Sequence, residues 1–335
     1  MKKKLASIWL IGSGSMALSY ANTLKALGLS FSVVGRSTHS ARKFKSLTGL
    51  DVVEGGLDLA LTQYEAPHTA IVAVSIEELL KNTRLLLQHN VKNILVEKPA
   101  ALSAEEVFKL DQETKSMRSN VFVAYNRRFL SSVIELRKHI TNDGGVSSCR
   151  FEFTEWIHRI NLSDVNSAVK KKWIITNSCH VIDTVFNLIG HPIRDSLATF
   201  QYGDLEWHPS GSIFCGSGIT EENIPFTYHS DWNSAGRWSI DLMTAQGKYV
   251  LSPLESLFFI KKGTVNAQEI TPDDENDKEY KPGLFSMVKG FLDGHYDNLC
   301  TLSEQLLNIE AMNLIAGYSL NNGETEYLQP YLNRV

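Results

Sequence analysis

Short apolar runs and helical stripes alternate through the first third of the chain. Ala6–Ile11 is apolar up to Gly12. Met16, Tyr20, Leu24 and Leu27 then recur at helical spacing and stop at Gly28, which predicts a helix over Ser15–Leu27. Phe31–Val34 reads as a second strand, and Ala41, Phe44 and Leu47 mark another helix. Thr69–Val74 (TAIVAV) predicts a buried strand, followed by a helix whose face is Leu79, Leu80, Thr83, Leu86 and Leu87. Asn93–Val96 and Val121–Ala124 are two more strands. Between them Ser103-Ala104-Glu105-Glu106 forms a capping box that opens a helix toward Met117. Strands and helices alternating at this spacing predict a parallel sheet wound on both faces.

Past residue 145 the pattern changes. Cys149, Phe151 and Phe153 alternate with Arg150, Glu152 and Thr154, a strand with one face exposed. Similar runs follow near 196–202, 212–219, 225–232, 237–244 and 248–251, interrupted by a helix at about Ser178–Leu188; Leu302–Leu320 is helical again. Asp273–Glu279 (DDENDKE), between Pro272 and Pro282, reads as a solvated loop. The expected fold is α/β: an N-terminal Rossmann domain over residues 1–124, then a C-terminal α+β domain over 125–335. The second domain is built on an open mixed, mainly antiparallel sheet, and its terminal helices are free to pack back on the first.

Composition narrows the function classes. A chain of 335 residues with 43% hydrophobic content has ample core for one large or two ordinary domains. The net charge of −4 gives no basic excess for nucleic acid. Lys2–Lys4 is a lone basic cluster, and no apolar run approaches the ~20 residues that span a bilayer, so neither nucleic acid nor membrane is an expected partner. The 4 cysteines lie far apart with no C-x-x-C pair, and the 10 histidines are scattered. No disulfide framework and no metal site is expected; reduced thiols in a cytoplasmic protein are the plain reading.

The opening MKKKLASIWLIGSGSMALSYA admits two readings. Lysines, a short apolar run and the small-x-small ending Ser19-Tyr20-Ala21 fit a secretory signal. The same residues fit a first strand running into a glycine-rich turn. Cleavage after Ala21 deletes the first strand of a sheet whose other strands are present, so the second reading is taken. Gly12-Ser13-Gly14-Ser15-Met16-Ala17 matches G-x-G-x-x-A: Gly12 for the tight turn, Gly14 for close backbone approach to a pyrophosphate, Ala17 for close helix–strand packing. The amides of Ser15 and Met16 then head a helix that favours an anion. An NAD site usually puts an acid at the end of the second strand, yet Met16–Leu50 contains no Asp or Glu. Gly35 fills that slot, followed by Arg36, Ser37 and Thr38, with Arg42 and Lys43 a turn later. A guanidinium and hydroxyls suit a 2′-phosphate, so NADP is favoured over NAD; the alternative leaves Arg36 at the surface, stacking on the adenine.

Three more motifs sit where an open α/β sheet binds ligands, or carry acid–base groups. Glu97-Lys98-Pro99 ends one strand, and Tyr125-Asn126-Arg127-Arg128-Phe129 ends the next. His180 and Asp183, three apart in Asn177-Ser178-Cys179-His180-Val181-Ile182-Asp183, share a helix face. A histidine beside a carboxylate and opposite a lysine can act as a general base. Arg127 and Arg128 either bind an anionic group of a substrate or form structural salt bridges. Trp173 and Trp156 either stack on a sugar ring or pack in the core.

Taken together, GSGSMA, VEKP at 96–99, YNRRF at 125–129 and H-x-x-D at 180–183 resemble the Gfo/Idh/MocA oxidoreductases, in order and over essentially the whole chain. The resemblance implies an N-terminal Rossmann domain, and a C-terminal sheet that joins subunits into a homodimer or homotetramer. It also implies NAD(P)-dependent oxidation or reduction of a small sugar-like substrate: a sugar, an inositol, a sugar acid or a nucleotide sugar. On this basis Val74, Ser75, Glu97 and Asn126 join Gly12, Gly14, Ser15, Met16, Arg36, Ser37 and Thr38 as cofactor contacts. Lys98 lies near substrate and nicotinamide, before a proline that is often cis. His180 takes the hydroxyl proton, Lys98 stabilises the developing alkoxide, and Asp183 orients the imidazole. Arg127, Arg128, Trp173, Thr176 and Asn177 are placed around the substrate.

Two departures stand out. Many members carry an acid four residues before the histidine, where this chain has Thr176. After the third strand of the resemblance a proline and a histidine are common, where this chain reads Val74-Ser75-Ile76-Glu77-Glu78. Two rival functions follow: an NAD-dependent glycoside hydrolase, and an NADP-binding sensor or scaffold that has lost turnover.

Overall fold

The structure is a computed structural model that describes residues 2–160, 163 and 165–318. In chain order the first elements are β1 (Ile8–Ile11), α1 (Ser15–Ala26), β2 (Ser32–Val34), α2 (Thr38–Thr48), β3 (Val52–Val53), α3 (Gly56–Gln63), β4 (Thr69–Val72), α4 (Ile76–Gln88), β5 (Asn93–Glu97), α5 (Ala104–Ser116) and β6 (Asn120–Ala124). There follow α6 (Ser131–Asn142), β7 (Ser148–Phe153), α7 (Ser167–Lys171), α8 (Cys179–Ile189), β8 (Ala198–Tyr202), β9 (Ile213–Ile219), β10 (Pro225–Asp231), β11 (Trp238–Met243), β12 (Gly247–Leu251), β13 (Leu257–Lys261) and β14 (Ala267–Ile270). The last are α9 (Glu275–Glu279), α10 (Leu284–Asp293), β15 (Cys300–Thr301) and α11 (Leu302–Ala316).

Two compact units result. Among the described residues, one comprises 2–125 together with Glu279–Leu306; the other comprises Asn126–Lys278 together with 307–318. In the first, a seven-stranded sheet runs β15-β6-β5-β4-β1-β2-β3, parallel throughout except where Cys300 and Thr301 pair antiparallel with Val123 and Phe122. This pairing, and the packing of α10 on α1, tie Glu279–Leu306 to the Rossmann unit. The residues Ile8–Ile11 of the ambiguous opening stretch form a central strand, flanked by β2 and β4. All four residues of β4 are buried, as a parallel strand covered on both faces requires. Leu79, Thr83, Leu86 and Leu87 form the buried stripe of α4. The capping box forms as expected: Ser103 Oγ accepts from Glu106 N–H at 3.2 Å, while Glu106 Oε2 accepts from Leu102 N–H at 3.1 Å.

The second unit is built on an eight-stranded sheet, β14-β13-β12-β11-β7-β10-β9-β8. Only the β7–β10 pair is parallel, so the sheet is mixed and mainly antiparallel. Cys149, Phe151 and Phe153 face inward, and α8 covers them: Phe186 meets Phe151 edge-on at 6.1 Å and Phe226 at 5.6 Å. On the other face Arg150 and Lys248 both reach Asp241, at 2.8 and 3.3 Å.

Several elements lie beyond what periodicity shows. β3 has two residues and β14 has no buried residue, so neither offers an apolar signature. The DDENDKE stretch is not a plain loop. It holds the short helix α9, pinned by a Lys278–Asp274 ion pair at 2.7 Å and by Asp277 Oδ2 accepting from Ser131 N–H at 2.7 Å. The helix expected at Ser178–Leu188 begins one residue later, after a π-helical turn at Ile174–Ser178. The last helix ends at Ala316; residues 319–320 of its expected span lie outside the described residues. Among the described residues, no helix is long and apolar enough to cross a membrane.

Candidate functional site

Gly12 closes β1 with a φ of +122°, and a Cβ there would lie 2.2 Å from Ala73 O. Its N–H donates to Val34 O at 2.8 Å, and Ala73 N–H donates to Ile11 O at 2.8 Å. The turn is therefore wedged between the ends of β2 and β4, where only glycine fits. Gly14 is the N-cap of α1, and a Cβ on it would meet nothing within 4 Å. The first bond of α1 runs from Leu18 N–H to Gly14 O, which leaves the amides of Ser15, Met16 and Ala17 without an acceptor inside the helix. No acid stands in this first turn. A cleft of about 500 Å³ opens here, lined by Gly12, Gly14, Ser15, Met16, Arg36, Ser37, Val74 and Ser75 among others.

At the end of β2 the structure brings in acids from outside the acid-free segment. Arg36 Nη1 pairs with Glu78 Oε1 at 2.9 Å, and Thr38 Oγ1 donates to Glu54 Oε2 at 2.5 Å. Ser37 caps α2, its Oγ accepting from Ser40 N–H at 3.2 Å. Asp58 and Lys81 form a second ion pair across the cleft wall at 3.2 Å. Arg36 and Glu78 were invisible to each other in sequence because 42 residues separate them.

Glu97 ends β5. Its Oε1 accepts from Tyr20 Oη at 2.6 Å, joining the strand end to α1. Loss of solvent pushes the Glu97 carboxyl up, opposed by the Tyr20 bond and by the charges of Lys98 and Lys281. The Tyr20 phenol is held well above its ordinary value by burial and by Glu97. Lys98 is half-buried, the Lys98–Pro99 bond is cis, and Pro99 O accepts from Gln305 Nε2 at 2.9 Å.

In the second unit, Arg128 and Asp183 are fully buried against each other. Arg128 Nε and Nη2 donate to Asp183 Oδ2 and Oδ1 at 2.9 and 2.7 Å, and Asn308 Nδ2 donates to Oδ1 at 2.8 Å. This bidentate arrangement engages both carboxylate oxygens of Asp183 with α11 and the turn after β6. Arg127 points elsewhere, pairing with Glu255 at 2.7 Å, and Asn126 is buried in the 3₁₀ turn Asn126–Phe129. Trp173 is buried and meets Trp207 edge-on at 5.5 Å. Thr176 is buried, its Oγ1 directed at the carbonyls of Val169 and Trp173. Asn177 and His180 are half-buried, and the His180 ring packs at 5.8 Å from the Trp238 ring.

Sequence reasoning missed Glu155, two residues past β7. It is 2% exposed, and its Oε1 accepts from Ser178 Oγ at 2.6 Å. Burial pushes its carboxyl up to about 7, against the hydrogen bond from Ser178 and the charge of Arg237. The unfolded chain ionises this carboxyl at lower pH. Its contribution to stability is therefore full below the unfolded value and is lost as pH rises toward 7.

Comparison with known proteins follows this geometry. Residues 7–125 match the family model described as oxidoreductase family, NAD-binding Rossmann fold. The match lies within the N-terminal unit. No curated protein matches the sequence. Solved structures share the fold over nearly the whole chain. An oxidoreductase from Agrobacterium radiobacter, in complex with NAD+, L-tartaric acid and magnesium, is 14% identical with a TM-score of 0.72, covering 94% of each chain. UDP-N-acetylglucosamine 3-dehydrogenase GnnA from Acidithiobacillus ferrooxidans is 12% identical with a TM-score of 0.73, covering 95% of this chain and 97% of that one. The WlbA dehydrogenase from Chromobacterium violaceum, in complex with NADH and UDP-GlcNAcA, is 12% identical with a TM-score of 0.69, covering 94% and 92%.

The N-terminal unit fits a dinucleotide on its own geometry. The space beside Gly14 is the cradle that a side chain would fill, and the leading amides of α1 stand at the same cleft. Val74 and Ser75 line that cleft although the proline and histidine common in the family are absent, because the end of β4, whatever its side chains, forms the wall.

Proposed function

We propose that this chain is an NAD(P)-dependent dehydrogenase that interconverts a secondary hydroxyl and the corresponding ketone on a sugar, nucleotide sugar or polyol. The observation that carries the reading is the glycine turn at the head of α1, over a cleft at the carboxyl ends of the strands, with Lys98 at the end of β5 in the same sheet. GnnA, a UDP-N-acetylglucosamine 3-dehydrogenase, and WlbA, solved with UDP-GlcNAcA, support a nucleotide sugar within that class.

A bound nicotinamide supplies the hydride acceptor. Lys98 Nζ donates to the reacting substrate oxygen and stabilises the negative charge that develops on it. An imidazole nitrogen of His180 takes the hydroxyl proton. Asp183 acts as an anchor for α8 through Arg128 and Asn308 rather than as a proton relay, since both its oxygens are engaged there. The test is a screen of nucleotide sugars and polyols for formation of reduced cofactor. Turnover is expected, and Lys98→Ala and His180→Asn are each expected to lower kcat at least roughly tenfold while leaving cofactor affinity unchanged. Undiminished turnover in either variant removes that residue from the mechanism, and a screen with no turnover favours a sensor or scaffold.

For the cofactor we read NADP in preference to NAD, with Arg36 meeting the 2′-phosphate on leaving Glu78. The ion pair is largely exposed and worth about 0–1 kcal/mol, less than a guanidinium–phosphate contact at about 1.5–3 kcal/mol. Calorimetric titration should therefore show Arg36→Ala weakening NADP+ by roughly tenfold or more and NAD+ little. Glu78→Gln should tighten NADP+ a few-fold. Tighter binding of NAD+ than NADP+ by the unmodified protein overturns this assignment.

A further inference from the structure

We propose that Glu155 is the positioning residue of His180: its carboxylate holds the turn Asn177–His180 through Ser178 Oγ and so fixes how the imidazole is presented. The proposal rests on the reading of His180 as the proton acceptor. It stands on three contacts within the second unit. Glu155 leaves β7 buried, and the 2.6 Å bond to Ser178 joins it to the residue two before His180. Ser178 closes the π-helical turn Ile174–Ser178, where the extra residue widens the backbone and the ordinary hydrogen-bond ladder gives least support. Trp238 lays its ring 5.8 Å from the imidazole. The acid thus reaches His180 along the chain through Ser178, while the Trp238 ring flanks the imidazole.

A buried carboxylate is costly unless it is compensated, and the structure places several partners around this one. The charged and titratable groups on the surrounding elements are Arg237 ahead of β11 and Asp241 on it, His180 and Asp183 on α8, His158 and Arg159 beside Trp156, His229 and Asp231 on β10, and Arg150 and Glu152 on β7. Arg237 is the cation that acts on Glu155, and its guanidinium is itself braced over the rings of Trp156 and Trp238 at 4.8 and 5.1 Å. Because the carboxyl is raised to about 7, it changes charge in the neutral range, and the support of the turn changes with it.

The test needs no substrate. Histidine-labelled protein is titrated by NMR, with the His180 signal assigned by its loss in His180→Asn, and tryptophan emission is followed over the same range. In Glu155→Gln the His180 midpoint is expected to fall by about half a unit or more, because a neighbouring negative charge is gone. The emission change near pH 7 should vanish with it. Glu155→Asp, which keeps the charge, should return the His180 midpoint toward the wild-type value; a purely structural role does not move it in this way. A His180 midpoint unchanged in a folded Glu155→Gln overturns the proposal. Where Glu155→Gln does not fold, Ser178→Ala carries the test. Loss of its hydrogen bond should raise the emission midpoint by about half a unit, and an unmoved midpoint is equally fatal. The role of His180 itself is judged by turnover of His180→Asn, so failure of that reading and failure of this one are told apart.

Discussion

Asp183→Ala is expected to destabilise the second unit by about 3–5 kcal/mol, the cost of leaving a buried guanidinium without its counter-charge. Arg128 and Asp183 are both 0% exposed, so water cannot replace the lost carboxylate. A second cation sharpens the effect. Arg137 on α6 is pulled down to about 10 by burial and by the charge of Arg128, with Asp183 opposing. Removing Asp183 therefore takes away the carboxylate that offsets the repulsion between Arg128 and Arg137. Urea unfolding followed by tryptophan emission reports this unit, since Trp156, Trp173, Trp207, Trp232 and Trp238 all lie in it and Trp9 alone lies in the other. A double replacement, Arg128→Met with Asp183→Leu, should recover much of the loss, because a well-packed apolar pair does not carry the desolvation cost of the ions. A loss below about 1 kcal/mol for Asp183→Ala is incompatible with a charge pair that is this buried.

Gly12→Ala should abolish dinucleotide binding to the limit of calorimetry, a weakening of at least ~100-fold, and lower the melting temperature of the first unit as well. The strain has two sources. A φ of +122° is a region that alanine avoids, and its Cβ would sit 2.2 Å from Ala73 O, a backbone atom that cannot swing aside. Backbone strain and overpacking together cost about 2–5 kcal/mol. The turn must then shift away from β4, carrying the head of α1 with it. Gly14→Ala is the discriminating companion. Its Cβ meets nothing in the protein, so the melting temperature of the free protein should hold, yet affinity should drop because the methyl group occupies the space beside the helix amides. Full affinity in Gly14→Ala would mean that the anion does not approach there.

The sequence by itself determined the Rossmann unit and its glycine turn. Each rests on local physics: apolar periodicity of 2 or 3.6 residues, and a glycine whose backbone angle no other residue adopts cheaply. The order of β1, α1, β4, β5 and β6 could be read in this way, as could the capping box at Ser103. Short edge strands such as β3 and β14 could not, since they bury little and leave no periodic trace. Around the site the limit was of another kind. Arg36 and Arg128 announced themselves as cations, but what they face was decided by residues far along the chain: Glu78 at a separation of 42, and Asp183 at 55. Glu155, 23 residues before Ser178, gave no motif at all. A charge's role depends on its desolvation and on its partner across space. Both are properties of the packed structure, and only the tertiary fold assigned Asp183 to Arg128, Glu78 to Arg36 and a buried acid to the turn that carries His180.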